Sequence, residues 1–93
     1  MPTSQLPPAS IQRAFGERVR KLRMKAELRQ EDLADRCGLY RTYLSRIETG
    51  AANPTLTMIQ ALADSLGVLI ASLFPRWLGS AVPPTQSAAR RAP

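Results

Sequence analysis

Four polar side chains share one side of a short helical segment near the middle of the chain. Their spacing leaves the opposite side to Leu44 and Ile47, so an α-helix here would bury one face and expose the other. Arginine can donate two parallel hydrogen bonds to guanine, and serine and threonine can contact bases or thymine methyl groups. We therefore predict base contacts in the major groove of double-stranded DNA; a merely solvated helix face is the alternative. The four residues are Arg41, Thr42, Ser45 and Arg46.

Two short helices that meet at a glycine turn are needed to position these side chains. Gln30 begins the predicted second helix, and Gly38 ends it as a residue that can adopt a left-handed C-cap conformation. The third helix is predicted over about 40–48, and Gly50 ends it in the same way. The polar side chains therefore lie on the second of two helices that share one tight turn.

Three further helical segments complete the predicted fold. Apolar residues at every third or fourth position predict a first helix over about 10–26, with Ser10 as its N-cap. Thr55 is predicted to cap a fourth helix, and residues 68–74 to form a short fifth helix that Pro75 closes. Five helices without a strand pattern indicate an all-α fold, a compact five-helix bundle. The predicted inner stripe of the fourth helix consists of Leu56, Ile59, Leu62, Ala63 and Leu66.

The two ends of the chain differ from its middle in composition. Residues 1–9 carry three prolines and few groups to bury, so we predict a flexible N-terminal arm. Residues 79–93 are polar, contain prolines and include Arg90 and Arg91, which is typical of a disordered basic tail. The helical, DNA-binding domain is accordingly predicted to span residues 10–78.

The charge balance favours a polyanionic partner. The chain has 13 Lys and Arg side chains and 7 Asp and Glu side chains, a net charge of +6, and the excess lies on the first helix and the tail. Nucleic acid and an anionic membrane surface both fit this balance. No apolar run approaches the ~18 residues of a membrane-spanning helix, and the N-terminus has no secretory signal pattern. We therefore predict a cytoplasmic protein that does not enter a membrane.

The composition argues against metal, redox and catalytic chemistry. The chain has no histidine and only one cysteine, which leaves neither a Cys/His zinc site nor an intrachain disulfide. No serine or cysteine lies beside a base motif, and no glycine-rich loop is present to hold phosphate groups. We therefore predict no enzymatic activity, no cofactor, no metal and no small-molecule ligand.

Four sequence blocks in fixed order resemble the XRE-type helix-turn-helix family of phage repressors and Cro-like regulators. The blocks lie within about residues 11–74 and read LRQEDLADRCGL, YLSRIETG, NPTL and LADSLGV. The resemblance implies a bacterial or phage transcriptional regulator that binds a pseudo-palindromic operator as a two-fold homodimer. Within the family, RTYLSRIETGAANPTL is similar to the controller proteins of restriction–modification systems. An antitoxin or another protein-interaction module that carries a DNA-binding domain is the alternative.

The resemblance also implies roles for individual residues. It makes the third helix the recognition helix, and it matches Arg23 and Glu48 to a buried ion pair between the first and third helices. Gln30 matches a residue that contacts phosphate and braces the recognition helix, at a helix N-terminus where backbone amides attract an anion. Tyr43 either packs against the first helix or contacts a phosphate. The predicted phosphate contacts are Arg29, Gln30, Tyr40, Tyr43 and Asn53.

Three helix starts depart from the serine or threonine cap that is common in the family. Arg29, Tyr40 and Leu69 stand at these positions, and the loss of such a cap costs about 1 kcal/mol in typical hosts. We predict that Arg29 and Tyr40 contact phosphate groups instead; simple tolerance of both residues is the alternative.

The C-terminal end of the predicted domain is more apolar than a small core requires. Surplus apolar surface at the edge of a small domain usually marks an interface. We therefore expect a homodimer joined through the fourth and fifth helices, with Trp77 near the contact; the alternative is that Trp77 folds back onto its own chain. The predicted interface residues are Leu69, Ile70, Leu73 and Trp77.

Overall fold

The computed structural model describes residues 8–75, and every regular element in that range is helical. Within these residues four α-helices are present, and the short fifth helix predicted over residues 68–74 is a single turn of 3-10 helix. Leu69 precedes this segment without a side-chain cap, and Phe74 already has extended backbone angles, so only one turn can form between them. The elements are α1 (Pro8–Lys25), α2 (Gln30–Cys37), α3 (Arg41–Thr49), α4 (Leu56–Leu66) and the 3-10 helix (Ile70–Leu73).

The first helix begins at Pro8, two residues before the predicted start at residue 10. Ser10 therefore lies inside the helix and is not its N-cap. Proline is tolerated in the first turn because the amide hydrogen that it lacks would have no helical partner there. Residues 8 and 9 therefore belong to α1, while the rest of the predicted arm and the predicted tail at 79–93 lie outside the described residues. No helix within residues 8–75 is long and apolar enough to cross a membrane.

Left-handed residues end the helices and keep the connecting turns short. Gly38 follows α2 with φ 70°, and Gly50 follows α3 with φ 85°, which confirms both predicted helix ends. After α2, the Leu39 amide donates a hydrogen bond to the Ala34 carbonyl at 2.8 Å, which satisfies a carbonyl at the end of the helix. The turn after α1 uses Glu27 at φ 61°, a non-glycine residue in the left-handed region.

The helix starts differ in whether a side chain caps them. Thr55 caps α4 as predicted, because its hydroxyl oxygen accepts a hydrogen bond from the Met58 amide at 3.2 Å. Arg29, Tyr40 and Leu69 precede α2, α3 and the 3-10 helix, and none of the three provides a side-chain cap. The residue before each of these three helices therefore contributes no capping hydrogen bond from its own side chain. At α2, the Asp32 carboxylate in the first turn accepts one from the Arg29 amide instead.

The core forms where α1 packs on α3 and α2 packs on both α3 and α4, with the 3-10 helix against α1 and α4. The rings of Phe15 and Phe74 lie 5.3 Å apart and link α1 to the end of the 3-10 helix. Leu56 is exposed, contrary to its predicted place on the inner stripe of α4, because the first position of this helix lies beyond the part that packs. The buried apolar residues are Phe15, Val19, Leu33, Ala34, Leu44, Ile47, Ala52, Leu62, Ala63 and Leu73.

Candidate nucleic-acid interface

Helix α3 has one buried face and one exposed face. Leu44 and Ile47 lie in the core, as predicted. The side chains predicted to contact bases lie on the other side of the helix, where Ser45 is half-buried and the rest are exposed. The helix thus presents two guanidinium groups and a hydroxyl group to solvent. The exposed residues are Arg41, Thr42 and Arg46.

A buried ion pair joins α3 to α1. Arg23 Nε donates to Glu48 Oε2 at 2.7 Å, and Arg23 Nη2 donates to Glu48 Oε1 at 3.0 Å. The two side chains are only 10 % and 2 % exposed. Because two parallel hydrogen bonds fix orientation as well as distance, the pair holds α3 at a defined angle to α1. The structure thus brings together the two residues that the family resemblance matched to a structural ion pair.

The ion pair belongs to a network that also includes the start of α2. Gln30 Nε2 donates to Glu48 Oε1 at 3.0 Å, and Arg23 Nη1 donates to the Leu28 carbonyl at 2.8 Å. In the described part of the chain, every buried side-chain nitrogen or oxygen has a hydrogen-bond partner. A fully satisfied buried network is rigid, so α1, α2 and α3 are held in one arrangement.

A close helix contact that the sequence did not predict sets the distance between α1 and the end of α3. A Cβ atom added to Gly16 would lie 2.7 Å from the Glu48 carbonyl oxygen and closer still to that of Ile47. Only a residue without Cβ lets the α1 backbone approach these carbonyl groups. Gly50 has a similar role, because its added Cβ would lie 2.9 Å from Arg13 Cα. An isolated glycine within a helical pattern was the available signal in the sequence.

Charged groups surround the N-terminus of α2. The Arg29 amide donates to Asp32 Oδ2 at 2.9 Å. This hydrogen bond, together with the attraction of the Arg29 and Arg36 guanidinium groups, holds the pKa of Asp32 below its ordinary value of 3.8. The Arg29 guanidinium lies 3.5 Å from Asp32 and 3.8 Å from Glu31, on the exposed surface. Arg29 therefore offers a cationic group that two carboxylates partly neutralise.

The other predicted contact residues differ in exposure. Tyr40 is 84 % exposed at the start of α3, and Asn53 is exposed in the loop that follows α3. Tyr43 is half-buried and packs against the core. Arg46 Nη2 donates to the Ala51 carbonyl at 3.3 Å on the exposed surface. The structure thus places Tyr40 and Asn53 at opposite ends of α3.

The residues predicted to form a dimer interface do not share one exposed surface. Leu73, the last residue of the 3-10 helix, is fully buried in the core, so it has no surface that could contact a second copy. This burial corrects its assignment to the interface. Leu69 is 77 % exposed, and Ile70 is half-buried against the core. Trp77 lies outside the described residues.

Comparisons with known proteins identify the family. Residues 14–73 match the family described as helix-turn-helix domain. Control protein C.BamHI of Bacillus amyloliquefaciens is 43% identical over 60 residues, which are 63% of this chain and 74% of that protein. The crystal structure of the restriction–modification controller protein C.AhdI from Aeromonas hydrophila has a TM-score of 0.65 and 40% identity, and the match covers 67% of this chain and 94% of that chain.

A solved DNA complex has the same fold. The crystal structure of SinR, the master regulator for biofilm formation, in complex with DNA has a TM-score of 0.61 at 27% identity. This match covers 63% of the present chain and 95% of the SinR chain. The chain therefore belongs to the helix-turn-helix domain family, as an XRE-like member that is similar to the control proteins of restriction–modification systems.

Proposed function

We propose that the chain is a sequence-specific DNA-binding transcriptional regulator that acts by binding and catalyses no reaction. The observation that carries the proposal is the contrast between the two sides of α3. Arg41, Thr42 and Arg46 are exposed on the outer side, while Glu48 on the inner side is held by Arg23 and Gln30. A rigidly held helix with exposed guanidinium groups can enter the major groove in one orientation. The similarity to control proteins and to a DNA-bound regulator supports the same function.

Base recognition is assigned to the exposed side of α3. Arg41 and Arg46 can each donate two parallel hydrogen bonds to guanine, worth about 1–3 kcal/mol of discrimination against a wrong base. Thr42 and Ser45 can contact bases but specify less, because one hydroxyl group fits several base edges. Arg46 has to break its 3.3 Å hydrogen bond to the Ala51 carbonyl before it can donate to a base. This hydrogen bond is exposed, so water already competes with it.

Phosphate contacts are assigned to the start of α2 and to residues within and beside α3. Gln30 is the first residue of α2, where free backbone amides attract an anion. Because Gln30 also donates to Glu48, a phosphate bound there is coupled directly to the position of α3. The carboxylates of Glu31 and Asp32 repel an anion in this turn, and the Arg29 guanidinium offsets them. The proposed set is Arg29, Gln30, Tyr40, Tyr43 and Asn53.

Two copies of the chain are proposed to bind one pseudo-palindromic operator. In a two-fold dimer, the recognition helices contact half-sites about one helical turn of DNA apart. Leu69 is 77 % exposed, and Ile70 and Trp77 complete the proposed contact. We further propose a cytoplasmic location in a bacterial or phage-infected cell, because the operator DNA lies there.

Selection from a random pool of DNA duplexes, followed by sequencing, tests the proposed function. We expect enrichment of a palindromic motif whose half-sites are about one helical turn apart. Light scattering at micromolar protein concentration measures the assembly independently, and a dimer is expected. Equal affinity for every duplex would rule out a sequence-specific regulator, whereas one unrepeated half-site and a monomeric mass would rule out the dimer alone.

A further inference from the structure

Tyr40 is the most exposed of the large hydrophobic side chains in the described part of the chain. It precedes α3 with extended backbone angles (φ −76°, ψ 144°) and provides no side-chain cap. Its carbonyl accepts a hydrogen bond from the Leu44 amide at 3.1 Å, which fixes its backbone in the first turn of the helix. An aromatic ring thus projects into solvent from a rigid base at the N-terminal end of α3.

The position of Tyr40 determines which part of DNA its ring can contact. In helix-turn-helix proteins, the N-terminal residues of the recognition helix contact base edges in the major groove. Tyr40 immediately precedes Arg41, the first residue of α3 and a proposed base contact. A side chain at this end of the helix therefore lies within the part that enters the groove.

The chemistry of the ring selects one group in that groove. The thymine 5-methyl group is the apolar feature on base edges of the major groove. A hydroxyl contact to phosphate would leave the apolar ring in water, whereas packing on a methyl group removes both apolar surfaces from water. Tyr40 also brings no positive charge to a phosphate, in contrast to Arg29 at the start of α2.

We propose that Tyr40 is a specificity-determining residue whose ring packs on the 5-methyl group of one thymine in each half-site. The inference rests on the proposed DNA-binding function and gives Tyr40 a base contact in place of a phosphate contact through its hydroxyl group. It applies to this chain in particular, because the family commonly has a small hydroxyl residue at this position.

Replacement of single thymines by deoxyuridine in the selected operator tests the inference, because deoxyuridine lacks only the methyl group. With the unchanged protein, we expect one thymine position per half-site where loss of the methyl group weakens binding. The affinity should fall about fourfold, which corresponds to the free energy of burying one methyl group. With Tyr40→Ala, binding should be weaker, and thymine and deoxyuridine at that position should bind equally.

Tyr40→Phe separates the ring from the hydroxyl group. This variant should keep both the affinity and the preference for thymine, because the ring is retained. Equal weakening by Tyr40→Phe and Tyr40→Ala would overturn the inference in favour of a hydroxyl contact to phosphate. Met24→Ala shortens another exposed side chain, on α1, and should bind like the unchanged protein. Thermal unfolding of all three variants should be unchanged, because both side chains are exposed.

The outcomes distinguish this inference from the proposed function. Equal affinity of the unchanged protein for every duplex would contradict both the proposed function and the inference about Tyr40. A protein that selects an operator, but shows the same response to deoxyuridine with tyrosine or alanine at position 40, would overturn the Tyr40 assignment alone.

Discussion

The two faces of α3 separate folding stability from recognition within nine residues. On the inner face, Glu48 is almost completely buried and accepts three hydrogen bonds from Arg23 and Gln30. On the outer face, Arg41 and the preceding Tyr40 are exposed. Changes on the inner face should therefore alter the free energy of unfolding, whereas changes on the outer face should alter DNA affinity alone.

Loss of the Glu48 carboxylate is expected to have the largest effect. Glu48→Ala leaves the Arg23 guanidinium buried without its counter-charge, which should cost about 3–5 kcal/mol of the free energy of unfolding. Thermal and urea denaturation measure this loss. Glu27→Ala removes an exposed carboxylate from the turn after α1 and should change stability much less. Equal losses in the two variants would contradict the stabilising role of the buried pair.

A methyl group at Gly16 tests the close approach of α1 to α3. Gly16→Ala places a Cβ against the carbonyl groups of Ile47 and Glu48, and the helices have to move apart. We expect a loss of about 1–3 kcal/mol in the free energy of unfolding, as for other overpacked sites. Chemical denaturation measures the loss, and Glu17→Ala, on the exposed side of α1, serves as the control. Unchanged stability would show that α1 and α3 have room for the methyl group.

Helix ends were predictable from the sequence, because they depend on local backbone requirements. Gly38 and Gly50 end their helices in the left-handed conformation that glycine adopts without a steric cost. The segment 68–74 was apolar enough for a helix, but its seven residues between Gly67 and Pro75 form only a short 3-10 turn. Leu69 provides no cap and Phe74 is already extended, so hydrophobicity alone did not determine the type of helix.

The candidate site was less predictable from single residues, because its contacts join distant parts of the chain. Arg23 and Glu48 are 25 positions apart and, by themselves, are two unrelated charges; only the family resemblance paired them. Gly16 shows the same limit, because its sequence neighbours do not reveal that α3 packs against it. Leu73 was assigned to an interface and lies in the core, because apolarity alone does not distinguish these two places.

On the outer face, Arg41→Ala should weaken operator binding without loss of stability. We expect a loss of about 1–3 kcal/mol in binding free energy and a relaxed preference at one base pair per half-site. Titration of labelled duplexes measures both changes, and thermal unfolding should remain as in the unchanged protein. Arg29→Ala is the matched comparison, because loss of a phosphate contact should lower the affinity for all duplexes alike. The slope of log affinity against log salt concentration should also decrease by about one.

An arginine at position 41 that only faces solvent would give a different result. In that case Arg41→Ala would lower affinity for every duplex alike, through loss of charge, and the selected motif would stay unchanged. The outer face of α3 would then have no role in base recognition through Arg41.

The smallest expected effect concerns Asp32, an exposed carboxylate that contrasts with the buried Glu48. Its pKa is lower in the folded chain than its ordinary value of 3.8, chiefly because it accepts the Arg29 amide hydrogen bond. The ionised form therefore stabilises the folded state above about pH 3.8, and this contribution is lost as the pH falls through the lower folded value. The difference in the free energy of unfolding between the unchanged protein and Asp32→Asn should therefore shrink as the pH falls below about 3.8.

An NMR titration of the Asp32 carboxyl group measures the same shift directly, and a midpoint at or above 3.8 would contradict it. The comparison with Glu48 is informative because the hydrogen-bond lengths are similar: 2.9 Å for Asp32 against 2.7–3.0 Å for Glu48. The two carboxylates differ in burial and in the number of hydrogen bonds that they accept, which is three for Glu48 and one, from the Arg29 amide, for Asp32. We expect a far larger loss of stability on removal of Glu48, because its partners would be left without access to water, whereas the partners of the exposed Asp32 would not.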